Sequence, residues 1–457
     1  MTDPSAALAY ARQYGTEFLE DYKALLRIPS VSTQTENKSD MMRAADWIAD
    51  HLRKLGFDAV QVFNTARHPV VYGQRLKASK NAPTVLFYGH YDVQPTDPLN
   101  LWESDPFEPT QRGDNLFARG ASDMKGQLVA HLKALESMLK TTGIPINLKY
   151  MVEGEEEIGS PNLGKFIDEH LELLQCDACL NADSGILGAE IPAITYALRG
   201  LSYFELHLQG AAGDLHSGTY GGAVENPANV LVRLLAGMKD SDHRVTLPGF
   251  YDDVRQITDE ERRDLASLPQ TDEWWKKTAG VKALDGEVGF TTTERATARP
   301  TLDINGLFSG FTGEGSKTVL PARAMAKFSM RLVPDQNPAR VRHMVDAYLE
   351  ANIPKTISWE LLEHSSCTPA ITERDSEMVS AAQQALEDEW GKPALFSRAG
   401  GSVPVVSLIH DKLQVNTLLL GFALPDDDIH APNEKQHLPT FYRGINTYIR
   451  FMNILAG

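Results

Sequence analysis

Residues 84–95 read TVLFYGHYDVQP, an apolar run that passes through a glycine into His90 and Asp92. Polar side chains at the carboxyl end of a buried strand mark a ligand site in α/β sheets. A strand-end hydrogen bond for His90 and a turn cap for Asp92 explain the pair equally well. Residues 119–126, RGASDMKG, set Asp123 among small residues just ahead of a helix, where Ser122 or Asp123 would serve as an N-cap. Capping does not explain residues 151–160, in which Glu155, Glu156 and Glu157 stand side by side after a strand. Adjacent carboxylates raise one another's pKa unless cations or solvent offset them, and solvated loops often carry such runs. Asp183 in CLNADSGILG and His430 in ALPDDDIHAPNEK follow two more apolar segments. His90, Asp123, the run Glu155, Glu156 and Glu157, Asp183 and His430 thus offer five candidate oxygen and nitrogen ligands at the ends of separate expected strands. Imidazole nitrogen with carboxylate oxygen and no thiolate is the ligand set of a hydrolytic zinc site, and an aspartate shared between two ions is common in two-metal centres.

The elements that must position these residues follow from periodicity. Apolar positions Met41, Ala44, Ala45, Ile48, Leu52 and Leu55 recur at helical spacing over 40–55, with Gly56 as the stop. Strands are expected at 59–63, 84–88 and 146–152, and helices at 127–139 and 162–174. Strand and helix alternation implies an α/β layer architecture. From Arg199-Gly200 the pattern changes: strands at 201–209, 325–333 and 357–362 with helices at 227–239 and 338–350 suit a small α+β domain. Residues 240–299, rich in charge and turn formers, read as an insertion wrapping that domain. Alternation resumes with a helix at 376–389, an apolar segment at 414–422 and a terminal helix from about 440 to 455. The expected layout is one α/β domain from both chain ends, 1–198 and 367–457, interrupted by an inserted domain at 199–366.

Composition limits the classes. The chain has 457 residues, 42% hydrophobic and 23% charged, with 44 Lys and Arg against 61 Asp and Glu for a net charge of -17. That balance excludes a disordered chain and argues against a phosphate-tracking nucleic-acid binder. No run spans a bilayer and no signal peptide is read at the start, so a soluble cytoplasmic protein is expected. Three cysteines make no secreted disulfide framework; the C-x-x-C of Cys176 and Cys179 lacks a second pair and reads as structural. His51, His131, His170 and His410 lie in helical or apolar stretches without partner motifs and read as solvated or hydrogen-bonded structural residues.

The fixed order of His-x-Asp, the Asp of ASDMKG, the Glu-Glu of GEEEIGS, the Asp of ADSG and a late His before NEK resembles the dinuclear zinc exopeptidases that include carnosine-type dipeptidases, aminoacylases and desuccinylases. DLHSGTYGG, GSKTVLPARA, MRLVPDQNP and RAGGSVPV are most similar to the dipeptidase branch. The resemblance implies a zinc-exopeptidase-like catalytic domain with a central mixed sheet and flanking helices, plus an inserted α+β lid and dimerisation domain. It makes Asp123 the bridging carboxylate, His90 and Asp183 the ligands of one metal ion, and Glu157 and His430 those of the other. Glu156 becomes the general base, by registering GEEEIGS from its Gly-Ser end, with Asp92 orienting His90 and Glu155 a bystander. His216 would donate to the oxyanion, often at the partner subunit's site in this family, which implies a homodimer; the same histidine beside Ser217 and Gly218 also suits a turn cap. Thr318, Arg331, Ser402 and Glu434 join the substrate contacts by resemblance: Arg331 has a guanidinium suited to a carboxylate, and Glu434 is placed to meet an amine.

The expected activity is hydrolysis of dipeptides or short peptides with two divalent ions, zinc first and manganese or cobalt as substitutes. The alternative with the same chemistry is an N-acyl amino acid amidohydrolase, a deacylase of acylated diamines, or a hydrolase of xenobiotic amides. A scaffold that has lost catalysis is disfavoured because all five ligands and Glu156 are present. A serine or cysteine hydrolase is disfavoured by the lack of a G-x-S-x-G elbow and of a histidine motif paired with a cysteine.

Overall fold

A computed structural model describes residues 3–457. The chain divides into two compact units. One comprises Met1–Tyr196, Thr372–Ser397 and Leu408–Gly457; the other comprises Ala197–Ile371 and Arg398–Ser407.

The first unit is built on a mixed sheet in the order Asp58–Phe63, Val70–Arg75, Asn147–Glu153, Thr84–His90, Ala178–Asn181, Thr417–Leu419, Ala193–Leu198. Its central strands run parallel: Thr84–His90 pairs in parallel with Asn147–Glu153 and with Ala178–Asn181, which pairs in parallel with Thr417–Leu419. Parallel neighbours present their carboxyl ends at the same sheet edge, so the loops that follow these strands emerge together. The strands read as continuous apolar runs because both faces are covered. Phe87, Leu128, Leu132, Tyr150, Ile445, Tyr448 and Ile449 share one core in which each is at most 1% exposed. The helix Gly126–Leu139 lies within this core. Amphipathic Lys38–Lys54 buries Met41, Ala44, Ala45, Ile48 and Leu52 and stops before Gly56, whose φ of 70° costs an L side chain but not glycine.

The second unit holds a four-stranded antiparallel sheet in the order Thr301–Ser309, Arg323–Leu332, Gly200–Gln209, Ser358–Cys367. Alternation turns Phe204, Leu206, Leu208, Ala326, Phe328 and Met330 inward against Val230, Leu231 and Leu234 of the helix Pro227–Gly237, and Val341, Val345 and Leu349 of Pro338–Asn352. Both helices begin with an Asn N-cap followed by proline: Asn226 accepts from the Ala228 amide and Asn337 from those of Ala339 and Arg340. Val245, Leu247 and Phe250 of the inserted stretch join the same core, and its helices Asp259–Ala266, Asp272–Ala279 and Thr292–Thr297 are capped by Thr258, Thr271 and Thr291.

Several expectations require correction. Residues 398–407 belong with the second unit, because Arg199 Nε donates to the Gly400 carbonyl at 2.9 Å and Arg331 to Ser402. The helix expected over 162–174 breaks at His170 into Leu163–Glu169 and Leu171–Leu174. The apolar stretch 414–422 forms a strand only at Thr417–Leu419, and the strand expected at 357–362 extends over Ser358–Cys367. The edge strand Thr301–Ser309 and the first two helices, Ser5–Gln13 and Gly15–Leu26, were not anticipated.

Candidate metal centre

The loops after the parallel strands deliver the chemistry. His90 ends its strand, Glu156 and Glu157 open a single helical turn just past Asn147–Glu153, and Asp183 follows Ala178–Asn181. Asp123 comes from the irregular turn Ala121–Lys125 ahead of the helix Gly126–Leu139, with extended backbone at φ -113° and ψ 105°. It does not cap that helix through its side chain, nor does Ser122. Close packing there requires glycine at 126, where a Cβ would lie 2.3 Å from the Ala121 carbonyl oxygen.

Two groups of potential ligand atoms converge, His90 with Asp123 and Asp183, and Asp123 with Glu157 and His430; within each group the atoms lie within 4.8 Å of one another. Asp123 is common to both. Its Oδ1 lies 3.0 Å from His90 Nε2 and its Oδ2 2.9 Å from His430 Nε2. Asp183 Oδ2 stands 3.8 Å from His90 Nε2, and Glu157 Oε2 3.2 Å from His430 Nε2. The His90 ring is fully buried, and its Nδ1 faces the Asp92 backbone oxygen at 3.1 Å and the Asp92 carboxylate at 3.4 Å. Asp92, also fully buried, accepts the amides of Glu156 and Glu157 at 3.2 and 3.0 Å.

The electrostatics set crowded carboxylates against two histidines. Burial first, then repulsion from Asp183, Glu157 and Asp123 that His90 partly offsets, pushes Glu156 up to about 9. Burial, then Asp123, pushes Asp183 up to about 7. Hydrogen bonds to Asp123 and Glu157 raise His430 to about 10 despite its partial burial. Burial opposes charge on His90, but its bonds to Asp123 and Asp92 outweigh that and hold its pKa well above the ordinary value. Burial likewise opposes charge on Asp123, and hydrogen bonds from His430 and His90 outweigh it, holding the carboxyl below its usual range. A donor set of nitrogen and oxygen in two overlapping groups, its histidines holding protons and its carboxylates repelling one another, fits divalent cations.

Residues the sequence reading passed over support this arrangement. Gln94 Nε2 donates to Glu157 Oε2 at 2.7 Å, and Asn181 Oδ1 accepts the Asp183 amide at 2.8 Å. Gln94 stands four residues beyond His90 in the same polar strand exit, its only signal. Glu155 is not a bystander: it is buried and accepts from Thr65 Oγ1, the His68 amide and Asn162 Nδ2 at 2.7–2.8 Å, tying two loops to the turn that carries Glu156. Glu434, expected to meet substrate, is 1% exposed, and its carboxylate is engaged by Arg119 and three backbone amides.

A peptidase family model, described as peptidase family M20/M25/M40, matches residues 86–454. The chain belongs to that family. Among its relatives, this M20 peptidase is 30% identical to the Cys-Gly metallodipeptidase DUG1 of Candida albicans over 453 residues, covering 94% of this chain and 93% of the relative. It is 29% identical to the human Beta-Ala-His dipeptidase, covering 99% and 94%. A solved M20 family metallo-carboxypeptidase, Sso-CP2 from Sulfolobus solfataricus, matches with a TM-score of 0.84 and 33% identity, covering 96% of this chain and 99% of that one.

In the second unit of the peptidase, His216 pairs opposite Val319, beside Thr318, whose carbonyl accepts the Ser217 amide at 3.1 Å. His216 is exposed and its Nδ1 accepts the Gly218 amide at 3.1 Å, the turn-capping bond. Arg331 Nη1 donates to Ser402 Oγ at 2.8 Å. Burial and then the neighbouring Arg331 lower Arg199 to about 10. His131 is buried against Phe87 and hydrogen-bonded through Nδ1 to the Tyr150 hydroxyl, a core residue and not a ligand. Among the described residues no helix is long and apolar enough to cross a membrane.

Proposed function

We propose that the protein is a metal-dependent dipeptidase that cleaves short peptides with Glu156 as general base. The observation that carries this is Asp123, one carboxylate whose two oxygens face two histidines belonging to two overlapping ligand groups. His90, Asp123 and Asp183 would hold one divalent ion, and Asp123, Glu157 and His430 the other, with zinc the first choice for this donor set. Such ions supply Lewis-acid polarisation of the scissile carbonyl and lower the pKa of water toward about 7.

The chain's own groups do the rest. Glu156 belongs to neither ligand group yet feels the charges of His90, Asp183, Glu157 and Asp123, so its carboxylate can take the proton of the attacking water and deliver it to the leaving amine. Its raised pKa suits the return step, and added positive charge nearby would bring it down toward neutrality. Asp92 holds the His90 ring and the Glu156 amide with one carboxylate, fixing ligand and base together. Arg331 and Ser402 offer a guanidinium and a hydroxyl to a substrate carboxylate, His216 a donor to the oxyanion, and Thr318 a polar neighbour to it.

The dipeptidase reading draws on the named activities of the curated relatives; the Sulfolobus relative's name allows a carboxypeptidase with longer substrates. A panel of free dipeptides, their N-acetylated forms, N-acyl amino acids and longer peptides, assayed on chelated protein before and after zinc or manganese, separates them. Metal-restored cleavage of free dipeptides alone is expected. Cleavage confined to acylated substrates would replace the reading with an aminoacylase, and preference for longer peptides would replace it with a carboxypeptidase.

A homodimer is part of this proposal. Edge strand Thr301–Ser309 leaves Ile304, Leu307 and Phe308 at least half exposed, without a lysine or proline to block pairing. Free thiols at Cys176, Cys179 and Cys367 suit a reducing, cytoplasmic setting.

A further inference from the structure

The turn that presents Asp123 does not support itself. Gly120 has φ 82°, and Asp123 and Met124 depart from helical backbone, so the amides around the ligand need acceptors from elsewhere. They find them in one side chain more than 300 residues away in sequence. Glu434 Oε2 accepts from Arg119 Nη1 at 2.8 Å and from the Gly120 amide at 2.9 Å; Oε1 accepts from the amides of Ser122 and Asp123 at 2.9 and 3.0 Å. Arg119 and Glu434 are each 1% exposed, and Arg119 Nη2 also donates to the Pro95 carbonyl at 3.1 Å. The backbone is stitched in the same place, with the Ala118 amide donating to the Glu434 carbonyl at 3.1 Å.

A second carboxylate from the same loop grips the turn's other side. Asp427, with no exposure, accepts from Ser122 Oγ at 2.7 Å and from the Leu424 amide at 2.7 Å. His430 lies between Asp427 and Glu434 in sequence, so the loop that carries one imidazole also holds the turn that carries the shared carboxylate.

We propose that Glu434 is a positioning residue of the metal centre: its buried carboxylate, neutralised by Arg119, gathers three backbone amides and thereby sets the Asp123 oxygens between His90 and His430. This rests on the reading of Asp123 as the shared ligand. It also removes Glu434 from the substrate contacts, because all four donors converge on the carboxylate inside the protein. Replacing it with the neutral amide turns one acceptor into a donor facing backbone N–H groups, and partners behind metal ligands of this kind are worth about 10-fold to 100-fold in metal affinity.

The test compares Glu434→Gln, Glu434→Asp and, as a control for buried charge away from the centre, Glu287→Gln. Glu287 receives both Nε and Nη2 of Arg299 at 2.7 Å inside the second unit. Each chelated protein is titrated with zinc against a chromophoric chelator, its thermal midpoint is recorded, and KM and kcat are measured at saturating metal. Glu434→Gln is expected to weaken zinc binding at least tenfold and lower kcat with KM within threefold of native, while Glu434→Asp, which keeps the charge, recovers part of the affinity and stays folded if the amide variant does not. Glu287→Gln is expected to lower the thermal midpoint and leave zinc affinity alone. Native-like zinc affinity in both folded Glu434 variants would overturn the proposal, as would a change confined to KM for substrates with a free amine. If the native protein itself binds no zinc, the metal-centre reading fails instead.

Discussion

His90 Nδ1 lies 3.4 Å from the Asp92 carboxylate, and that carboxylate also accepts the amides of Glu156 and Glu157. One buried side chain therefore fixes the orientation of the His90 imidazole and the backbone of the turn bearing Glu156, the proposed ligand and base. Asp92→Asn should keep the packing but lose the charge behind His90, weakening zinc binding about 10-fold to 100-fold. Competition with a chromophoric chelator measures this directly; unchanged affinity would mean that Asp92 serves the Glu156 turn alone.

Glu156→Gln keeps the shape and removes the proton acceptor. The expected result is a loss of about 10²-fold to 10⁴-fold in kcat for dipeptide hydrolysis, with two metal ions still bound per chain. Metal content by elemental analysis alongside single-turnover kinetics decides it. Full activity in this variant would transfer the base role to another group.

Arg331 to Ala should raise KM about tenfold or more for substrates with a free carboxylate, since a charged hydrogen bond is worth about 1.5–3 kcal/mol. Substrates amidated at the carboxyl end should bind poorly to the native enzyme and lose little further in the variant. Equal losses for both substrate types would assign Arg331 to holding Ser402 and nothing more.

Metal binding should release protons. In the chelated protein Asp183 is pushed up to about 7 and His430 to about 10, both above their ordinary values, so at neutral pH the proposed ligand His430 holds a proton and Asp183 is partly protonated, and a cation must displace both. Apparent zinc affinity should therefore climb as pH rises from 6 to 8, about tenfold per unit for each proton released. Calorimetry in two buffers of different ionisation enthalpy counts those protons, and a pH-independent affinity with none released would contradict the assignment.

His131 gives folding stability a pH dependence of its own. Burial lowers it from the ordinary 6.5 to about 3, so the folded chain keeps it neutral while the unfolded chain protonates it. The stabilisation is complete above pH 6.5 and is lost as pH falls through 6.5 toward about 3, by about 1.4 kcal/mol per unit for this one group. Denaturant melts of native protein and of His131→Phe at pH 7 and pH 5 should show the smaller fall in the variant; equal falls would place the acid sensitivity elsewhere.

In sequence, His90, the Glu155–Glu157 run and Asp183 were legible as candidates because each ends or follows a strand, whereas Asp123 stands in a turn ahead of a helix and His430 in a long polar loop. Thr84–His90 and Asn147–Glu153 carry that signal in their own hydropathy, and their order along the chain sufficed for the family. The short helix break at His170 and the edge strand Thr301–Ser309 were not legible. The helical pattern runs through His170, and the edge strand mixes Asp303, Asn305 and Gly306 with exposed Ile304 and Phe308 and buries only Leu302, so no alternation announces it.

What the residues alone determined was the chemistry: nitrogen and oxygen ligands without thiolate, a run of glutamates at a strand end, and an alternating α/β frame. Which carboxylates touch what was decided by tertiary packing. Glu155, Glu156 and Glu157 are neighbours in the chain, yet one braces Thr65, His68 and Asn162, one is left without a ligand partner beside the centre, and one faces His430. Glu434 reads as an acid in a polar loop, and only the fold brings Arg119 and the amides of Gly120, Ser122 and Asp123 around it. The reason is physical: hydropathy and periodicity report how a segment meets its own surroundings, whereas a buried carboxylate is defined by the donors that distant segments bring to it.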